Sequence, residues 1–236
     1  ENSFIQAGLA TVICLAIGYP FAYILSRENA LIRKVAMLFV MLPMWMNFLL
    51  RTYAWMSILE NNGFLNQFFE KVGIINLINF LGPHIISNWR MITFIPMINT
   101  DGAVILGMIY NYLPFMILPI FSVLEGLDRR YIEAAQDLGA NRFETFRRVI
   151  FPLSLPGVLS GIMMVFIPSV STFAISRLLG GGLKLLLGDV IEMEFLGSAY
   201  NPHLGSAIAL VMMVIVLVCM GIMNRFGEGE DEAVVL

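Results

Sequence analysis

From Phe4 to Leu25 the chain carries no charged side chain, and no other feature limits the fold so severely. A helix over that stretch, rising about 1.5 Å per residue, reaches about 33 Å and matches the hydrocarbon thickness of a bilayer. Four more apolar stretches follow. Together they predict an all-α membrane protein, a polytopic helical bundle built as a single transmembrane domain over 1–236. Its five spans are expected at about 4–25, 35–55, 102–124, 155–179 and 206–224. Composition agrees: 58% of the 236 residues are hydrophobic and 13% charged, with a mean hydropathy of +0.82. Soluble domains hold about 45–50% apolar and about 25% charged residues. The sequence pI of about 5.4 leaves no footprint for nucleic acid, so lipid is the first partner. Cys14 and Cys219 both fall inside apolar spans and read as free, buried thiols.

The second span carries Pro43, expected to bend it, and ends at Arg51, Tyr53 and Trp55, a snorkelling cation and aromatic residues that mark an interface. Asn61-Asn62-Gly63 signals a turn, and the mixed stretch 64–81 suits helices lying along the outer surface. Pro114 and Pro119 interrupt the third span, and Pro168 breaks the fourth. The segment 185–202 reads as a second outer loop. Of the 14 Lys and Arg residues, nine (Arg27, Arg33, Lys34, Arg129, Arg130, Arg142, Arg147, Arg148, Arg225) fall on one side, which the positive-inside rule assigns to the cytoplasm. The other five are Arg51, Lys71, Arg90, Arg177 and Lys184. This sidedness puts the chain start outside, so a sixth helix is expected upstream.

The loop 125–152 is the one polar, helix-competent segment between long apolar spans. Glu133-Ala134-Ala135-Gln136-Asp137 favours a short helix, and Gly139 ends it through a left-handed turn. A second helical run, 142–150, precedes Pro152. The two alanines leave room for another backbone or a large side chain, and Glu133 offers a carboxylate to a cation. Gly139 and Pro152 are expected to set the two corners of a docking element.

This segment resembles the Glu-Ala-Ala loop of ABC-importer permeases, with Glu133, Ala134, Ala135, Gly139 and Pro152 in register. Val149 and Phe151 stand where Ile and Leu are usual, and both keep the apolar character. The resemblance implies a bundle of the type I ABC importer permease kind in a bacterial inner (plasma) membrane. It also implies a cytoplasmic ABC ATPase dimer that receives the Glu133 helix, a second homologous permease, and an extracellular or periplasmic substrate-binding protein. ATP hydrolysis would then reside on a separate subunit. Further motifs resemble permeases of the spermidine/putrescine importer group: Gly18-Tyr19-Pro20-Phe21-Ala22, Leu42-Pro43-Met44-Trp45-Met46-Asn47, Leu113-Pro114-Phe115-Met116, and Leu186-Leu187-Gly188-Asp189-Val190-Ile191. They imply polyamine transport by alternating access; related permeases carry amino acids, iron or other small cations.

No catalytic grouping or cofactor site is legible. His84 and His203 lack neighbours at metal-ligand spacing. Gly180-Gly181-Gly182-Leu183-Lys184 lacks the following Ser or Thr and the preceding strand of a phosphate loop. Polar residues inside the spans are costly in lipid and mark a pathway or a partner helix. Asn47, Arg51, Asn111, Ser169 and Thr172 are the candidates for a translocation path, with Ser171, Ser176 and Arg177 beside them; for the hydroxyls, a bond back to their own helix is the alternative. Asp189, Glu192 and Glu194 form a candidate cation-attracting group in the outer loop, offset by Lys184, or a solvated contact for the binding protein. A secondary transporter or channel would show inverted repeats or rings of ionisable residues. A membrane-embedded enzyme would need paired Asp or a His-Glu cluster at membrane depth. Neither pattern is present.

Overall fold

The computed structural model describes residues 2–76, 79, 93–182, 185–197 and 200–227. His84, Arg90, Lys184 and the acidic tail after Gly227 lie outside them. In chain order the helices are α1 (Asn2–Ser26), α2 (Ala30–Met41), α3 (Phe48–Leu59), α4 (Phe64–Val72), α5 (Asp101–Gly126), α6 (Arg129–Asp137), α7 (Arg142–Ser171), α8 (Ala174–Leu179), α9 (Leu187–Leu196) and α10 (Pro202–Gly227). The described residues contain no strand. α1, α5, α7 and α10 are each long and apolar enough to cross a membrane.

Three of these, α1, α5 and α7, pack on one another and form the centre. Small residues let them approach closely. A Cβ on Gly18 of α1 would lie 3.1 Å from Met116 Cγ, and one on Gly161 of α7 2.8 Å from Met116 Sδ. One turn along, a Cβ on Gly157 would lie 2.8 Å from the Pro119 carbonyl oxygen. Lipid tails are as apolar as the side chains, so such close contact, rather than water exclusion, is what holds membrane helices together. Cys14, Tyr19, Ala22, Met116, Ile120, Val158 and Val165 fill one end of this core. Ala10, Val104, Met108, Ile175 and Leu179 fill the other. α10 sits outside, against α9 and α7, and exposes Leu210, Val211, Val214 and Leu217 as lipid-facing residues do.

Two spans differ from the expected form. Between 30 and 72 the chain turns by 93°, so the segment read as one span at 35–55 is two helices. The break is built from a 3-10 turn at Leu42–Trp45 holding Pro43, then Asn47, whose Oδ1 accepts the Leu49 N–H at 2.8 Å and caps α3. Conversely, α5 runs unbroken through Pro114 and Pro119, and α7 through Pro152, Pro156 and Pro168. Pro152 therefore makes no corner. A proline ring collides with the carbonyl four residues back, here Arg148, and that carbonyl lies in a widened π turn at Phe146–Ile150. α7 ends only at Ser171, with Thr172 extended at ψ 139°. The Tyr112 hydroxyl donates to the Pro168 oxygen at 3.4 Å, serving one of the last carbonyls of α7.

Candidate functional site

The helix carrying Glu133 is bounded on both sides. Asp128 accepts the Arg130 N–H at 3.0 Å and caps its start. At its end Gly139 takes φ +84°, the Ala140 N–H donates to the Ala135 oxygen at 3.0 Å, and the Gly139 N–H to the Gln136 oxygen at 2.9 Å. That pair of bonds is a Schellman cap. A reciprocal cap follows at once: Asn141 Oδ1 accepts the Glu144 N–H at 2.9 Å, and Glu144 Oε2 the Asn141 N–H at 3.0 Å. Each helix closes its own orphan groups, so residues 138–141 make a defined hinge.

The two alanines face different ways. Ala135 is buried and lines a groove with Thr145, Arg148 and Val149, so the room it leaves is taken by α7 of the same chain. Glu133 and Ala134 are exposed. Glu133 also borders a polar cavity of about 660 Å³ with Tyr23, Arg27, Arg33 and Glu125, where Arg33 pairs with Glu125 at 2.8 Å. Tyr131, Leu138 and Phe143 stand exposed on this end of the bundle, Leu138 at 89%. On a helix, positions 131, 134 and 138 share a face. The sequence reading missed this apolar stripe. Its signal was the helical spacing of Tyr131, Ala134 and Leu138.

The residues proposed for a translocation path divide by how well the chain satisfies them. Ser169 bonds back to the Val165 oxygen at 2.6 Å, and Asn47 is the α3 cap. Thr172 is buried at the end of α7. Asn111, 2% exposed, donates to the Gly107 oxygen at 2.8 Å, while its Oδ1 has no partner among the described residues. Arg51 does not snorkel to an interface: it is 8% exposed, and its Nε and Nη1 make no hydrogen bond among the described residues. Leaving such groups buried and unpaired costs about 1–3 kcal/mol each and more for a charge. Arg51 and Asn111 thus hold buried polar atoms that no described residue satisfies.

At the opposite end from α6, the stretch read as an acidic loop is the helix α9. Asp189 is 5% exposed and not free to attract cations from solution: Ser176 Oγ lies 2.8 and 2.7 Å from its carboxylate oxygens, and it accepts the Leu186 N–H at 2.8 Å, closing the first turn of α9. Burial pushes its carboxyl pKa up, partly opposed by those two hydrogen bonds. Glu192 pairs with Arg177, which therefore offsets the acids. Glu194 is half-buried.

Residues 15–228 match the family of binding-protein-dependent transport system inner membrane components. The spermidine/putrescine transport system permease protein PotB of Haemophilus influenzae is 41% identical, over 95% of this chain and 72% of the relative. PotB of Escherichia coli K12 is 36% identical over 94% of this chain and 73% of its own length. The inner membrane ABC transporter permease protein YdcU of the same organism is 28% identical over 94% of this chain and 69% of the relative. Among solved structures, a bacterial ABC transporter involved in import of the acidic polysaccharide alginate superposes with a TM-score of 0.69 at 15% identity, covering 97% of this chain and 80% of that one. A bacterial alginate ABC transporter in complex with its pentasaccharide-bound periplasmic protein gives 0.71 at 16% identity, covering 95% and 75%. At such identity these two speak for the fold, that of an ABC importer permease. The chain belongs to the family of binding-protein-dependent transport system inner membrane components, and is a multi-pass permease of the bacterial inner membrane.

Proposed function

We propose that this chain is the permease subunit of an ATP-driven polyamine importer, carrying spermidine or putrescine. The observation that carries the reading is identity with spermidine/putrescine permeases along nearly the whole chain. ATP hydrolysis belongs to a cytoplasmic ATPase dimer. α6 docks there: Tyr131, Ala134 and Leu138 enter an apolar groove, and Glu133 pairs with a cation at its rim. A second permease completes the path, and a binding protein delivers substrate to the far end. Closure of the ATPases draws the two α6 helices together, and the bundle rotates between inward- and outward-open states. Arg51 and Asn111, buried with atoms unpaired, face the second permease or the path itself.

The test is reconstitution of the complete transporter with its binding protein. Spermidine or putrescine is expected to raise ATP hydrolysis several-fold over the unloaded binding protein, whereas amino acids leave it unchanged. Stimulation by an amino acid or by ferric iron instead would assign a neighbouring substrate class.

Sidedness follows from the same reading. In a Cys-free background, Asn141→Cys is expected to react with an impermeant maleimide only after permeabilisation, and Asn62→Cys in intact cells. Asn141 sits in the hinge after α6 and Asn62 in the turn between α3 and α4. The reverse pattern would invert the assignment of cytoplasmic and outer ends.

A further inference from the structure

We infer that Pro152 is a positioning residue: by holding a π turn in the first part of α7, it sets the rotation at which α6 is presented to the ATPase. The inference rests on the docking reading of α6 and adds what fixes the direction in which that helix faces. At Phe146–Ile150 the helical bond closes at five residues instead of four, the Phe151 N–H donating to the Phe146 oxygen. Such a turn takes up one residue more than an α turn, and one α-helical residue is about 100° of rotation and about 1.5 Å of rise. Everything before the turn is therefore set about 100° away from where an uninterrupted α-helix would place it. What lies before it is the first turn of α7, the 138–141 hinge and α6.

Two features of the sequence hold the turn open. Pro152 has no N–H to give the Arg148 carbonyl, and in the α register its ring would strike that carbonyl. The second feature is aromatic. Residues five apart stand about 140° apart around an α-helix, whereas a turn that closes at five stacks them. Phe146 and Phe151 are five apart, with ring centroids 6.4 Å from each other, and both lie against Tyr19 of α1, at 5.9 and 5.8 Å. Tyr23, one turn on, meets Phe146 edge-on at 5.3 Å. The Tyr19 hydroxyl lies 2.9 Å from Ser154 Oγ, which donates to the Phe151 oxygen at 2.8 Å, so α1 grips α7 at both ends of the turn. α6 has anchors of its own: Ile132 packs on the central core, and Ala135 lines a groove with Thr145 and Val149. Thr145, just before the turn, and Ile150, at its end, are each 2% exposed. An α register would carry one of the two out of its packing.

The experiment restores the rotation without the proline. In the complete transporter with spermidine-loaded binding protein, Pro152→Ala permits the α register and is expected to lose most uptake and most stimulation of ATP hydrolysis. Its unfolding transition is expected to stay unchanged or rise, since alanine favours a helix. Deleting Arg147 in that variant leaves Phe146 and Phe151 four apart, the spacing at which α-helical neighbours meet, and is expected to return most of the lost uptake. Arg147 is exposed, and Arg147→Ala alone is expected to transport normally, which separates the rescue from the lost charge. A proline needed only for stability would lower the transition, and the deletion would not rescue it. Normal coupling in Pro152→Ala, or no recovery on deletion, would overturn the positioning role. Where Pro152→Ala does not insert, the deletion variant decides alone, by transporting or not. The docking reading is tested apart, by Gly139→Val: if that variant loses uptake while Pro152→Ala keeps it, only the positioning role falls, and if both transport normally the docking reading falls too.

Discussion

Gly139→Val is expected to abolish uptake while leaving the chain inserted and folded. The position needs φ +84°, where an L-residue is strained by about 1–2 kcal/mol and a β-branched one by more. Space is not the obstacle, since a Cβ there would meet no atom within 4 Å. The chain escapes the strain by abandoning the left-handed turn, and with it the two Schellman bonds from Gly139 and Ala140. α6 then frays at the end that carries Leu138, and its angle to α7 is no longer fixed. A helix that is to transmit the motion of an ATPase cannot tolerate that, whereas the core of α1, α5 and α7 lies elsewhere and is untouched. Two comparisons isolate the cause. Gly139→Asn, which adopts this conformation at low cost, should retain most activity. Gly73→Val imposes the same strain at φ +82° on the end of α4, which packs on α3, and should leave transport largely intact. Equal loss in Gly73→Val and Gly139→Val would mean that strain anywhere disables the protein, and the coupling role of the 138–141 hinge would be lost.

What could be read from the sequence was set by local chemistry. Uncharged runs of bilayer length announce helices because lipid offers no other partner for the backbone, and Phe4–Leu25 and the stretch after Pro202 needed nothing more. Gly139 was legible from local chemistry too, since a short polar helix followed by a glycine spells out a turn without tertiary help. What failed depended on neighbours. Prolines read as breaks at 114, 119 and 168 lie inside continuous helices. The bend expected at Pro43 is there, but the Asn47 cap that completes it looks in the sequence like any intramembrane amide. Asp189 read as a loop acid because no sequence pattern says that Ser176, thirteen residues earlier, folds back to bury it.

Gly157→Ala is expected to destabilise the bundle markedly, and Gly157→Val to prevent its assembly. The added Cβ would lie 2.8 Å from the Pro119 carbonyl oxygen and 3.0 Å from Val123 Cγ2. A backbone oxygen cannot rotate away, so a helix must move. α5 has nowhere to go: on its far side Met116 is already within 3.1 Å of where a Gly18 Cβ would stand. Overpacking of this kind costs about 1–3 kcal/mol per methyl-sized intrusion, and here it recurs one turn away at Gly161, which faces Met116. Gly157 and Gly161 are thus a Gly-x-x-x-Gly pair whose spacing brings the two backbones together. Gly8 is the control, a glycine in α1 with nothing within 4 Å of its Cβ position, where the same change to alanine should be neutral or mildly stabilising. Thermal or SDS-induced unfolding of the purified transporter would show a lowered transition for Gly157→Ala and an unchanged or raised one for Gly8→Ala. Coincident transitions in the two variants would mean that α5 and α7 are not held at this distance, and the packing of the central three helices would have to be redrawn.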